Sequence, residues 1–234
     1  MYEWFEFKGQ RCTAFGIRVS KAPPILRPLE RAQRIQLPGR SGSLSLLEGE
    51  DVFEDFLLSM ECVLPDVSKL SEVNAWLKGN GDLRLPHRPQ GVYKAVVANQ
   101  ISFEQVLRGN PHRSFIVIFR CQPFLHLTGI PDIVLTTSGS RINNLGTVPA
   151  FPIIKLEGSG DIRLMVDQTI TAIQGLPRPI LLDSQVGLAT NLTRTINMSA
   201  LVSGDWPKLG TGRPAVSWQG NVTRITITPN WCLL

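Results

Sequence analysis

The chain has 234 residues, 43% of them hydrophobic and 18% charged, with a formal net charge of +5. That balance excludes a disordered chain, and the length suffices for one large β domain or two small ones. The mild positive charge is spread over both halves, which excludes the dense basic stripe of a dedicated nucleic-acid binder. The 17 prolines and 20 glycines are scattered rather than clustered, as expected of many short strands punctuated by turns. No apolar run reaches the roughly 18 residues of a membrane-spanning helix. The opening MYEWFEF has neither the basic nor the apolar region of a signal peptide. Cys12, Cys62, Cys121 and Cys232 form no CxxC pair and read as small buried hydrophobes of a chain made in a reducing cytosol.

In chain order, alternation with a period of two predicts strands at Tyr2–Lys8 and Cys12–Val19, joined at Gly9. Ala22-Pro-Pro-Ile-Leu-Arg-Pro28 cannot be a central strand, because its prolines lack ladder donors, so it should be an extended arm. Basic residues gather around it, with Lys21, Arg27, Arg31, Arg34 and Arg40 against Glu30 alone. Next comes a hairpin pattern. Ile35 and Leu37 share one face, Arg34 and Gln36 the other, and Leu44 and Leu46 repeat the alternation after the turn Leu37-Pro-Gly-Arg-Ser-Gly42. Val52–Leu64 reads as a long strand. The one helix follows, capped by Asp66 or Ser68, with Leu70, Val73, Trp76 and Leu77 at helical spacing and Gly79 as its stop. Asn80-Gly81 reads as a turn into a strand at 82–85. Val92–Val106 and Arg113–Cys121 are further strands, the second holding the unbroken apolar run Phe115-Ile-Val-Ile-Phe119.

A domain boundary is expected near residues 123–130. Beyond it no helix is predicted, only short strands at Phe151–Glu157, Asp161–Val166, Thr169–Ile173, Pro179–Asp183, Leu188–Ile196, Ala215–Trp218 and Val222–Thr228. Their spacing is that of a β-sandwich. Leu77-Lys-Gly-Asn-Gly-Asp82 and Leu156-Glu-Gly-Ser-Gly-Asp161 resemble each other as entries into strands through Gly-x-Gly-Asp turns.

Chemistry is sparse. Gly39-Arg-Ser-Gly42 lacks the lysine of a phosphate loop and precedes no helix, so it is a turn. His87, His112 and His126 have no partner at metal-ligand spacing, and no nucleophile motif is present. Trp218 alternates with apolar positions and reads as core. Trp206, in Gly204-Asp-Trp-Pro207, remains a sugar-contact candidate and supports an alternative reading as a carbohydrate-binding module for host-surface polysaccharide. These residues predict no catalytic site, no metal site and no cofactor.

Taken in order, the motifs resemble the distal tail protein of long-tailed, non-contractile phages. The resemblance rests on Phe7-Lys-Gly9, Phe15-Gly-Ile17 with Val19, the proline-rich arm, and Ile35-Gln-Leu-Pro-Gly-Arg-Ser-Gly42. It continues through Trp76-Leu77, Tyr93-Lys-Ala95 and Phe119-Arg-Cys-Gln-Pro-Phe124. In the second half come Asn144-Leu-Gly146, Pro152–Asp161, Gly204–Leu209, Val216–Gly220 and Thr228-Pro-Asn-Trp231. Ser41 replaces the usual acidic residue of the turn, and Asn230 stands where a basic residue is common.

The resemblance implies a mainly β chain. Residues 1–128 would be a ring-forming, β-sandwich-like domain with one helix at about 68–78 and a protruding hairpin arm at about 21–47. Residues 129–234 would be a galectin-like β-sandwich. It implies a homo-hexameric ring in the virion, at the tail tip, synthesised in the host bacterial cytoplasm. Its partners would be the tail tube protein, the tape-measure protein, a tail-tip or tail-associated lysin protein and a receptor-binding protein, with no membrane and no specific nucleic acid, although DNA passes through such a channel. A ring needs one protruding element that docks on a neighbour. Arg34, Ile35, Leu37, Pro38, Gly39, Arg40, Leu44 and Leu46 are the expected contacts.

Overall fold

A computed structural model describes residues 4–21, 23–39, 41–49, 51–105, 109 and 112–234. The chain divides into two compact units, residues 1–128 with Leu234 and residues 129–233.

In the first unit, β1 (Glu6–Phe7) and β2 (Gln10–Arg11) form a small hairpin, and β3 is Arg18–Val19. The predicted strand at Cys12–Val19 is instead a 3-10 turn over Cys12–Phe15, closed by Gly16 at φ 75°. Burial outweighs alternation here: the turn sinks Cys12 beneath the Phe5 amide, which donates to its sulfur at 3.3 Å. It also lays Phe15 on Trp76, 4.6 Å between ring centroids. β4 (Ala32–Gln36) and β5 (Ser43–Leu47) make the predicted hairpin. β6 (Phe56–Leu64) starts later than expected, since Phe53 only bridges to Glu30 at the root of the hairpin.

The helix is a 3-10 turn at Val67–Lys69 running into α1 (Leu70–Trp76), with the Asp66 side chain accepting from the Ser68 amide. β7 (Asn80–Arg84) and β8 (Gly91–Val97) follow, then β9 (Glu104–Gln105) and β10 (Arg113–Leu127). Asn80-Gly81 is therefore strand and not turn, paired to Val96 and Ala95 of β8. The expected strand to Val106 breaks after Val97, and Val106 lies outside the described residues. Asn99 continues the ladder with its side chain, accepting from the Ile118 amide (2.7 Å) and donating to the Ile116 carbonyl (2.9 Å). β10 runs on through Pro123, which was expected to lie in the boundary. Its register against β8 shifts between Cys121 and Leu125, and its pairing with β6 ends at Cys121, so proline's missing N–H breaks no ladder bond there.

These strands form one antiparallel sheet in the order β2-β1-β7-β8-β10-β6-β3. Phe7 of β1 and Phe119 of β10 lie three strand positions apart, yet their rings are 5.1 Å from each other. Flat strands would hold their backbones about 14 Å apart, so the sheet curls around its inner face. α1 closes that core. Trp76 stacks on Phe5 at 5.5 Å and donates its indole N–H to the Phe7 carbonyl at 2.9 Å.

The second unit holds β11 (Ile133–Leu135), β12 (Ser140–Arg141), β13 (Ile153–Val166), β14 (Thr169–Leu176), β15 (Ile180–Asp183), β16 (Leu188–Asn191), β17 (Val202–Gly204) and β18 (Ala215–Thr228). β13 and β18 pair along their lengths and serve both layers of a sandwich, β16-β15-β13-β18-β11 and β17-β14-β13-β18-β12. Each was expected as two strands. Gly158-Ser-Gly160 is not a turn but the place where the register slips and β13 passes from one layer to the other. Gly220 of β18, at φ 103°, lets the strands approach there; a Cβ would meet the Asp161 carbonyl and lie 3.2 Å from the Ile162 Cα. β16 stops at Asn191, short of Ile196, because the Asn191 carboxamide accepts from the Thr195 and Ile196 amides and turns the chain. The core between the layers includes Ile154, Leu156, Leu164, Ile180, Ile225 and Ile227.

Candidate docking surface

The hairpin is built as an isolated ribbon. β4 and β5 pair only with each other among the described strands, in the register Ile35↔Leu44 and Gln33↔Leu46. Facing residues of an antiparallel pair point to the same side. One side therefore collects Gln33, Ile35, Leu37, Leu44 and Leu46, and the other Ala32, Arg34, Gln36, Ser43, Ser45 and Leu47. The apolar side is uncovered: Leu37 and Leu44 are each 44% exposed and Leu46 47%, with Ile35 half-buried between strands. Four predicted contacts thus come together on one face, while Arg34 projects from the opposite face. Pro38 and Gly39 (φ 79°) form the exposed tip, and Arg40 lies outside the described residues.

The root of the ribbon is fixed. The Arg31 amide donates to the Val52 carbonyl (2.9 Å), the Glu48 amide to the Arg31 carbonyl (3.1 Å), and the Glu54 amide to the Leu29 carbonyl (2.8 Å). Phe53 lies buried against Phe124 beneath this crossing, with 5.7 Å between the rings. The arm is thus anchored at one end, and its apolar face stays partly exposed. The proline-rich lead-in exposes Ile25 and Leu29 as well.

Trp206, the candidate sugar contact, is half-buried, and its indole edge lies where a Cβ on Gly187 would stand 3.3 Å from Nε1. Trp218 faces Leu164 across β18 and β13. His126 is inside β10, where burial, aided by Lys94, holds its imidazole pKa below the ordinary value. Burial also raises every thiol: Cys62 and Cys121 to about 12, Cys232 to about 11, and Cys12 in the same direction. All four thiols are buried and protonated at neutral pH. Among the described residues no group of three or more His, Cys, Asp or Glu side chains is placed to hold a metal ion.

Sequence reasoning missed a second open surface. On the outer face of the first sheet, Leu57, Val96 and Ile116 are 54%, 38% and 48% exposed. The signal was available in the run Phe115-Ile-Val-Ile-Phe119. A strand with one solvated face alternates, and an unbroken apolar run marks a strand covered on both.

The fold is Dit-like, a two-part β architecture. Among solved structures, the chain is similar to the crystal structure of the Dit protein of phage SPP1, described as a paradigm of the hub adsorption apparatus in phages infecting Gram-positive bacteria. The TM-score is 0.70 at 12% identity, covering 97% of this chain and 98% of that one. The likeness at this identity is one of fold. No protein-family model and no curated protein matches the sequence.

Proposed function

We propose that this chain is the distal tail protein of a long-tailed, non-contractile phage. It is a structural component of the virion at the tail tip, made in the host bacterial cytoplasm. Six copies close into a ring whose channel passes DNA, joining the tail tube and tape-measure protein to the tail-tip or lysin protein and the receptor-binding protein. The first unit builds the ring through its hairpin arm, and the second, a galectin-like sandwich, lies outside. The reading involves no catalysis and no cofactor.

The observation that carries it is the agreement of fold over nearly the full length of both chains, at a TM-score of 0.70. An agreement confined to the sandwich would have been weak support, since sandwiches serve many functions. The exposed apolar face of the arm is independent support: a soluble monomer gains nothing from a free hairpin of uncovered leucines.

The test is the mass and shape of the purified chain. Light scattering should give the mass of six 25.9 kDa copies, and negative-stain images should contain rings with a central hole. A monomer at every concentration, alone and with its tube partner, would overturn the reading. Saturable binding of host polysaccharide that is lost in Trp206→Ala would favour the carbohydrate-binding alternative.

A further inference from the structure

We infer that a groove at one end of the first sheet binds an aliphatic di- or polyamine, one per chain. The groove, of about 320 Å³, is lined by Glu61, Glu104 and Ile116 together with Ser20, Ser102 and Ser114. It is complete within one chain and so is independent of the ring reading. Strand pairing brings its residues to one face. Glu104 of β9 stands opposite Ser114 of β10, and Ile116, two residues on, stands opposite Glu61 of β6. Ser20 follows β3 and donates its amide to the Glu61 carbonyl at 2.8 Å. Phe115 and Cys62, which alternate with these positions, are buried in the core.

Charge defines the class of ligand. Among the described residues neither carboxylate is ion-paired. No lysine or arginine lines the groove, and Arg18, opposite Val63 on β3, pairs with neither. In a chain of net charge +5, two carboxylates and three hydroxyls with no cation among them are a local exception. Their complement is a cation that donates hydrogen bonds. Spacing then decides which cation. Two strand separations of about 4.8 Å and one alternate-residue step of about 6.8 Å set the two α-carbons about 12 Å apart. A single metal ion would have to draw both carboxylates together over Ile116, an apolar floor, whereas calcium takes about six to eight oxygen ligands. Among the described residues no three acidic, His or Cys groups are placed to supply them. A methylene chain with an ammonium at each end meets both demands. The ammonium groups reach the two carboxylates and the hydroxyls beside them. The methylenes lie along Ile116, which is 48% exposed.

Isothermal titration of the full-length chain with putrescine, cadaverine and spermidine, at one fixed ionic strength, tests the site. One saturable event per chain is expected, tightening along that series. Butylamine, with a single ammonium, should bind about fivefold more weakly than cadaverine, the effect of one partly exposed ion pair. Glu61→Gln and Glu104→Gln should each weaken spermidine by about fivefold as well. Glu48→Gln, on the hairpin, is the control and should change nothing. Both groove glutamates are exposed, so the variants should fold, and circular dichroism checks that they do. Four results would overturn the inference: no saturable heat up to millimolar polyamine, binding of calcium as tight as that of spermidine, butylamine as tight as cadaverine, or spermidine affinity unchanged in both glutamine variants. Each is read on the chain whether or not it forms rings, so the failure of this site and the failure of the hub reading stay distinct.

Discussion

Replacing Leu37, Leu44 and Leu46 together by threonine should dissociate the assembly without unfolding the chain. Threonine keeps the β preference of the strands while removing most of the apolar surface. Ile35 is retained to hold the ribbon's cross-strand contact. Just under half of each leucine is still exposed to solvent in the single chain. Full burial of a leucine is worth about 1.5–3 kcal/mol, so covering the remaining half on a neighbour contributes about 1 kcal/mol each. Losing three amounts to about 3 kcal/mol per contact, roughly a hundredfold in its dissociation constant. The unit's own stability should move by no more than about 0.5 kcal/mol per substitution, the usual range for surface positions.

Sedimentation velocity over a concentration series gives the first quantity and urea unfolding followed by circular dichroism the second. Leu→Met at the same three positions is the control and should leave assembly nearly intact. Two results would refute the reasoning. Unchanged assembly would mean the leucines are not the contact. A loss of about 2 kcal/mol or more in the unit's own stability would mean the arm packs on its own chain and is no free element.

Trp76→Phe should destabilise the first unit by about 3 kcal/mol, because the Phe7 carbonyl loses its buried indole donor and the aromatic stack with Phe5 and Phe15 shrinks. A shift in the urea midpoint confined to that unit checks it. Asn144→Ala should cost the second unit about 2–3 kcal/mol. The buried carboxamide donates to the Gly210 carbonyl (2.8 Å) and accepts from the Gly146 amide (2.7 Å), and alanine leaves both unmatched. For pH, His126 and His87 both have imidazole pKa values held below 6.5 by burial. The unfolded chain then binds the proton more readily, so stability is fully present above 6.5 and falls as pH drops below it. Urea midpoints at pH 7.5 and 5.5 should differ in that direction, and His126→Gln should reduce the difference.

The fold class was legible because its signals are local. Period-two alternation marks the strands, and Leu70, Val73, Trp76 and Leu77 fix the helix with no knowledge of its neighbours. Ile35 with Leu37, and Leu44 with Leu46, mark the hairpin through the same parity, while its register comes from the structure. What the sequence hid depends on distant partners. Cys12–Phe15 alternates like a strand, and only the pocket beneath Phe5 and Trp76 makes it a turn. Gly158-Ser-Gly160 has turn composition, yet it bends a continuous strand because Gly220, some sixty positions away, makes room opposite. Pro123 sits within β10 only because a bulge happens to need no donor there.

The two units differ in which carries a face open to the proposed ring contact. In β18 of the second unit, Ile225 and Ile227 are buried while Arg224, Thr226 and Thr228 face outward. That sheet is finished, with a polar side for water. In β10 of the first unit, Ile116 and Ile118 occupy the outward positions where such a strand would carry polar residues. The core beneath α1 covers one face, while the other mixes the outward isoleucines with Leu57, Ser59, Glu61 and Arg120. Placing a single charge there, Ile116→Lys, should therefore leave the monomer folded and prevent assembly. A variant that still forms rings would show that the outward isoleucines serve something other than this contact.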